Sequence, residues 1–175
     1  MSNGTSKAII VMGVSGAGKS SVADLLAQRL GCAFTEGDRL HPASNVEKMA
    51  KGIPLTDEDR WPWLDLIGQD LQAARADNRD LVVTCSSLKA IYREKLRSVG
   101  GEPLYFVFLK GAPELLAVRM GERQGHFMPT SLLQSQLATL ESPEAEPNVV
   151  TVDIDAPVAA IVDDAVGKLR ALWQA

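Results

Sequence analysis

AIIVMGVSGAGKSSVADLLAQRL, residues 8–30, is the stretch on which the fold turns. Residues 8–12 are an unbroken apolar run, the pattern of a strand buried on both faces. Val22, Leu25, Leu26 and Leu30 then recur at helical spacing. Between the two lie Gly13, Val14, Ser15, Gly16, Ala17, Gly18, Lys19 and Ser20, which match GxxxxGKS. The glycines let successive backbone N–H groups converge on phosphate oxygens where a side chain would block the approach, and the following helix adds its positive N-terminal end. Lys19 is expected to reach the β- and γ-phosphates and the Ser20 hydroxyl to ligate Mg²⁺. Ser21, the next residue, is counted with the nucleotide-binding set. GTPases, ATPases and small kinases all share this motif, so it leaves the reaction open.

Outward from this unit, residues 33–35, 81–84, 104–109 and 149–154 form further short apolar runs that read as strands. Helical spacing recurs between them, at Ile91, Leu96 and Val99, and at Ile161, Val162, Val166 and Leu169. The alternation predicts a single α/β domain over residues 1–175, with a parallel sheet covered on both faces by helices. Two segments depart from it. Residues 41–77 stay helical too long for a simple crossover, with Leu64, Ile67 and Leu71 following a start signal at Pro62. Residues 121–129 mix Gly, Arg and aromatic residues between helical patterns at 113–119 and 131–140. Such inserts lie over the carboxyl edge of open α/β sheets, where ligands bind.

Composition narrows the setting. Apolar residues make up 46% and charged residues 23% of the 175, ordinary values for a globular protein. A formal charge of −4 provides no global positive field for nucleic acid or an anionic membrane, so any anionic ligand must be held by a local cluster. No apolar stretch approaches the roughly 20 residues that span a bilayer, and the first residues lack the pattern of a signal peptide. A cytoplasmic location is expected. The two cysteines, Cys32 and Cys85, sit in or beside apolar runs and read as small buried thiols.

After the second strand the chain reads Glu36, Gly37, Asp38, Arg39, Leu40, His41, Pro42. This sets a carboxylate at a strand's carboxyl end, across from the phosphate loop. Such a group can orient an acceptor hydroxyl and take its proton as the bond to phosphorus forms. An Asp that caps the following helix is the alternative.

Three stretches carry a specific resemblance: GDRLHPASNVEKMAKGIPLTDEDRWPWL (37–64), CSSLKAIYREKLR (85–97) and RQGHFMPTSLLQSQLATLE (123–141). With the phosphate loop they make the chain resemble gluconokinases of the P-loop type, over most of residues 8–154. The resemblance implies a P-loop fold like that of nucleoside monophosphate and shikimate kinases: a five-stranded parallel sheet of order 2-3-1-4-5 with a substrate-side insert (about 41–77) and a lid (about 119–130). It also implies a cytoplasmic homodimer that converts D-gluconate and MgATP to 6-phospho-D-gluconate and ADP. Departures from the family pattern are small: Ala17 stands where Ser is common, Ser87 where Ala is common, and residues 142–148 follow the pattern loosely.

Gluconate is an anionic polyol, so its pocket needs a cationic anchor and several hydrogen-bonding groups. Arg60, after the acids Asp57, Glu58 and Asp59, fits the anchor; a surface salt bridge with Asp57 or Asp59 is its alternative. His41 either donates to a gluconate hydroxyl or packs beside Pro42. Lys48 and Asn45 share the same insert, as contacts or as plain helix surface. Arg119 and Arg123 stand at i, i+4, where one helix face can bring both over the triphosphate. His126, Phe127 and Met128 form an apolar tip that can exclude water. Ser135 and Gln136 face either the pocket or solvent. Thr84, Cys85 and Ser86 end the third strand without the Asp that many P-loop ATPases carry there, which leaves Mg²⁺ to Ser20, phosphate oxygens and water, with Asp38 a possible further contact. Trp61 and Trp63 read as packing, and residues 155–158 as an adenine-side loop. Catalysis is thus assigned to Lys19, Asp38 and Arg123, and gluconate binding to Asp38, His41, Lys48, Arg60, His126 and Gln136. Two rival readings stand beside this one: a kinase of the same fold for another hydroxylated acid or a nucleotide, and a non-catalytic ATP-binding module.

Overall fold

In the computed structural model, which describes residues 5–121 and 130–175, β1 (Ala8–Met12) is the central strand and is buried at every position. It pairs in parallel with β3 (Leu81–Thr84) on one side and with β4 (Leu104–Lys110) on the other. β2 (Ala33–Thr35) adds to the far edge of β3 and β5 (Val149–Asp153) to the far edge of β4. The sheet therefore has five parallel strands in the order 2-3-1-4-5. β4 runs one residue further than the apolar pattern indicates, and β5 ends one residue earlier.

Alternation along β1 divides the core. Ile9 and Val11 face α1 (Lys19–Leu30), α5 (Pro113–Gly121) and α7 (Val158–Gln174), while Ile10 and Met12 face α3 (Asp57–Ala76) and α4 (Ala90–Gly100). Two apolar layers thus form, one on each side of the sheet, and each fully buried Ile or Leu contributes on the order of 2 kcal/mol. The neighbours of β1 diverge after it: the chain leaves to one edge through α1 and β2, and later crosses to the other at β4. That reversal opens a crevice at the carboxyl ends of the strands. The turn after β1 and the turn after β2 both rise into it.

Residues 41–77 form two helices rather than one, α2 (Ala43–Ala50) and α3, with Gly52 and Pro54 in the break. The start of α3 also differs from the sequence expectation. Thr56, not the residue before Pro62, is the N-cap: its hydroxyl accepts from Asp59 N–H, and the Asp59 carboxylate accepts from Thr56 N–H. This reciprocal capping box satisfies two amides at the helix start. Pro62 therefore lies inside the helix, where it removes one backbone donor that the cap and the buried Trp63, Leu64 and Ile67 outweigh.

Candidate active site

The phosphate loop leaves β1 and closes on α1 through Gly18, which occupies the left-handed region at φ 89° as the N-cap. Gly16 is required as glycine twice over: its φ is +86°, and a Cβ there would lie 2.9 Å from the Leu116 carbonyl oxygen. Val14 and Ala17 bury their side chains in the core, so the loop offers its backbone outward. Lys19 Nζ donates to the carbonyls of Gly13 (3.0 Å) and Val14 (3.1 Å), which arches its stem over the loop. Ser20 is exposed and lines the crevice; Ser21 is exposed but lies outside the cavity wall.

A cavity of about 440 Å³ connects this loop to the turn after β2. Ser15, Gly16, Gly18, Lys19 and Ser20 line one side, and Asp38, His41 and Arg60 the other. Val46, Met49, Ile53 and Leu55 supply an apolar wall.

Asp38 stands on a 3₁₀ turn, Gly37–Leu40, that is fixed from two directions. Gly37 N–H donates to Thr84 Oγ1 at 3.0 Å, and the Gly37 carbonyl accepts from the indole N–H of the buried Trp63 at 2.8 Å. The Thr84 hydroxyl in turn donates to Glu36 at 2.5 Å. The end of β3 and the first part of α3 therefore hold the turn between them. The Asp38 carboxylate itself makes no hydrogen bond or ion pair with any described residue, and it caps no helix: α2 has no side-chain cap. Beneath the turn, the fully buried Cys85 thiol is pushed up to about 11 by burial and stays protonated.

The acids at the start of α3 are engaged by lysines, not in the salt bridge with Arg60 that stood as the alternative. Asp59 pairs with Lys48 at 2.7 Å, and Asp57 with Lys89 at 3.0 Å. The Tyr92 hydroxyl also donates to Asp57. Asp57 is consequently held below the usual carboxylate range, first by Tyr92 and then by Lys89, and Asp59 is held at about 2 by Lys48 and the Thr56 amide. Arg60 forms no salt bridge with a described residue, although its charge is the last of the influences that lower Asp57. Its guanidinium lies over the Tyr92 ring, 5.1 Å from the centroid, and its buried Nε has no hydrogen-bond partner. A cation stacked on an aromatic face, lining a cavity and held in no salt bridge is poised for an anion. Lys48, by contrast, is spent on Asp59 and does not line the cavity.

His41 stacks on Trp63 with centroids 3.9 Å apart and planes 18° from parallel. Burial, and secondarily the Arg60 charge, lower its pKa to about 4, so the ring is neutral at pH 7. Gln136, on α6 (Thr130–Thr139), accepts from Ser15 N–H at 2.7 Å; it therefore joins the phosphate loop as well as the cavity wall. Arg119 lies outside that wall, and its guanidinium donates to the Ile154 carbonyl at 2.6 Å, at the start of the loop after β5. Arg123, His126, Phe127 and Met128 fall outside the described residues.

Sequence reasoning missed Lys89 and Tyr92, which line the cavity beside Arg60. Both lie in the stretch after β3, where helical spacing marks the apolar face but assigns these two side chains no role, and their pairing with Asp57 spans 32 and 35 residues. Arg93 anchors the same segment. It is fully buried, donates to the carbonyls of Ser87 (2.7 Å) and Leu88 (3.2 Å), and pairs with Glu146 at 2.6 Å.

An AAA domain model matches residues 9–143. The chain is 47% identical over 163 residues to the gluconokinase of Gluconobacter oxydans, covering 93% of this chain and 91% of that one. The chain belongs to the gluconokinase family. The thermoresistant gluconokinase of Escherichia coli is 44% identical over 162 residues, 92% of each chain. A gluconokinase crystal structure from Sinorhizobium meliloti superimposes with a TM-score of 0.88 at 51% identity, covering 97% of this chain and 95% of that one. The Sinorhizobium structure shares the fold of the present chain, and all three matches cover nine-tenths or more of both chains.

Proposed function

We propose that the protein transfers the γ-phosphate of ATP to the 6-hydroxyl of D-gluconate, giving 6-phospho-D-gluconate and ADP. The observation that carries this reading is the pairing, across one cavity, of a phosphate loop with an arginine held in no salt bridge by any described residue. ATP phosphates lie along the loop, and Lys19 turns from the loop carbonyls toward the transferring group. The Arg60 guanidinium takes the gluconate carboxylate, which sets the far end of the carbon chain toward Asp38. Asp38 accepts the hydroxyl proton as the new O–P bond forms and the bond between the γ-phosphorus and the bridging oxygen breaks, with ADP leaving.

Mg²⁺ suits the donors present. Among the described residues no group of three or more His, Cys, Asp or Glu could hold a metal alone, while the Ser20 hydroxyl is exposed at the loop. An ion held by Ser20 and phosphate oxygens would neutralise charge on the phosphates. Residues 41–77 serve as a substrate-side insert and residues 119–130 as a lid within one domain, with Arg119 on the nucleotide side, Arg123 assigned to catalysis and His126 to gluconate binding. Ser21, His41, Lys48 and Gln136 act in support: Ser21 at the phosphates, His41 on a substrate hydroxyl, Lys48 by holding Asp59, and Gln136 between loop and substrate. A homodimer in the cytoplasm goes with this reading. No helix among the described residues is long and apolar enough to cross a membrane, and the charge of −4 offers nucleic acid no general attraction.

The test is Arg60→Ala. Loss of a charge-assisted, bidentate contact is expected to raise the gluconate KM by about tenfold or more while the ATP KM stays within about twofold. Arg60→Lys is expected to recover little, because an ammonium does not form the planar, bidentate fork. A change confined to the ATP constant would assign Arg60 to the nucleotide and remove it from the gluconate pocket.

A further inference from the structure

We propose that Asn45 is a positioning residue that holds His41 in a single tautomer, with Nε2–H presented as a fixed donor to the acceptor substrate. The inference rests on the reading of the cavity as the gluconate site, and it begins with a polar side chain in an unexpected place. Asn45 is 2% exposed, the buried residue of α2. An amide buried this deeply is costly unless its hydrogen bonds are made.

Its bonds fix more than itself. Asn45 Nδ2 lies 2.8 Å from the Asp59 carbonyl oxygen. A carbonyl can only accept, so the amide must turn its NH₂ end there, and its orientation follows from chemistry. The same nitrogen lies 3.2 Å from His41 Nδ1. With one N–H spent on Asp59, the second points to the imidazole, and Nδ1 must offer its lone pair. The ring proton then sits on Nε2. Nε2 meets no other described residue, and His41 lines the cavity.

The ring plane is fixed as well. His41 lies flat on Trp63, which is fully buried and tied through its indole N–H to Gly37. Gly37 is the residue before Asp38, so one indole sets both the imidazole donor and the turn that carries the carboxylate acceptor. The charged groups around the ring favour the neutral form. Burial disfavours a charged ring and Arg60 repels a proton on it, while the Asp59 carboxylate on α3 is paired with Lys48. Asp38 and Arg39 from the 3₁₀ turn, with Lys19 and Lys89 across the cavity, are the other charges facing the same space.

A neutral imidazole locked as donor, beside a carboxylate that can only accept, reads a polyol as one hydroxyl oxygen followed by one hydroxyl proton. With the other tautomer, His41 would present a lone pair at Nε2 and the two groups would compete for the same kind of partner. An apolar residue of similar volume at position 45 would fill the space and leave the tautomer unfixed.

The chain has two histidines, His41 and His126, which makes a direct test practical. Long-range ¹H–¹⁵N spectra of the ¹⁵N-histidine-labelled protein report tautomer and titration separately, and the spectrum of His41→Gln assigns the two rings. Wild type is expected to show His41 as the neutral Nε2–H form from pH 8 to 5. Asn45→Leu is expected to show mixed tautomers, with a gluconate KM raised by about five- to tenfold, the worth of roughly one hydrogen bond, and an ATP KM unchanged. An Nδ1–H form in the wild type, or titration near the ordinary histidine value, overturns the lock even if Asn45→Leu fails to fold. Mixed tautomers in Asn45→Leu with an unchanged gluconate KM overturn its role toward substrate. A wild type with the expected His41 spectrum that does not phosphorylate gluconate overturns the substrate reading instead, which keeps the two failures apart.

Discussion

Asp38 is the residue on which catalysis and architecture can be separated most cleanly. Its carboxylate takes no hydrogen bond from any described residue and caps no helix, while its backbone is held through Gly37. Asp38→Asn should therefore keep the wild-type Tm and ATP affinity and lose about a hundredfold or more in turnover, the usual scale of a general base. Near-normal turnover in a folded Asp38→Asn would remove the residue from the chemistry. Lys19, Ser20, Asp38 and Arg60 are legible in the sequence because each sits in a short local pattern: a glycine turn after a strand, a strand end, a helix start. Lys89 and Tyr92 are not, because their pairing with Asp57 spans 32 and 35 residues; Asn45 is legible only as a residue of the insert, since its burial depends on the Asp59 carbonyl 14 residues away although its bond to His41 spans four. The alternative of a salt bridge for Arg60 shows the same limit. Three acids precede it, and only the fold reveals that Lys48 and Lys89 occupy Asp59 and Asp57.

At the level of elements, the site depends on how closely the turn after β2 approaches β3. A Cβ built on Gly37 would lie 1.8 Å from the Thr84 carbonyl oxygen, backbone against backbone, with no flexible side chain to give way. Gly37→Ala should cost about 3 kcal/mol or more, as overpacked sites do, and lower Tm by roughly 6–12 °C at this chain length. It should also reduce gluconate turnover in whatever fraction stays folded. A variant with wild-type Tm would mean that the turn is not seated on β3. All five strands are readable from apolar runs, within a residue at their ends. The helical stretch 41–77 is read less well, because helical spacing persists across the Gly52 and Pro54 break and Pro62 imitates a start signal that Thr56 and Asp59 supply.

For the molecule as a whole, the shifted groups set the response to acid. His41 is held near 4 in the native state, chiefly by burial, against about 6.5 in an unfolded chain. The stability it contributes is thus complete above about pH 6.5 and declines as the pH falls toward its folded value. Asp57 and Asp59 are also depressed. Burial alone would raise Glu146, but hydrogen bonds from Arg93 and Arg97 more than offset it and leave it lowered. Their contribution persists to about pH 4 and is lost below, as they protonate. Thermal unfolding should show two limbs, a shallow loss between about pH 6.5 and 4 and a steeper one below about pH 4. His41→Gln should remove the shallow limb; a shallow limb retained in that variant would assign it to other groups.

The central claim is that one cavity joins ATP to gluconate, and a coupled ADP-release assay with MgATP tests it most directly. The panel is D-gluconate, other sugar acids, shikimate and nucleoside monophosphates, with Lys19→Ala as the control for the phosphate loop. Saturable ADP release is expected with gluconate, at a kcat/KM at least about a hundredfold above every other acceptor, a margin that corresponds to about 2.7 kcal/mol of discrimination, and it should collapse in Lys19→Ala. Preference for shikimate or a nucleoside monophosphate, or ATP binding without acceptor-dependent ADP release from any member of the panel, would contradict it.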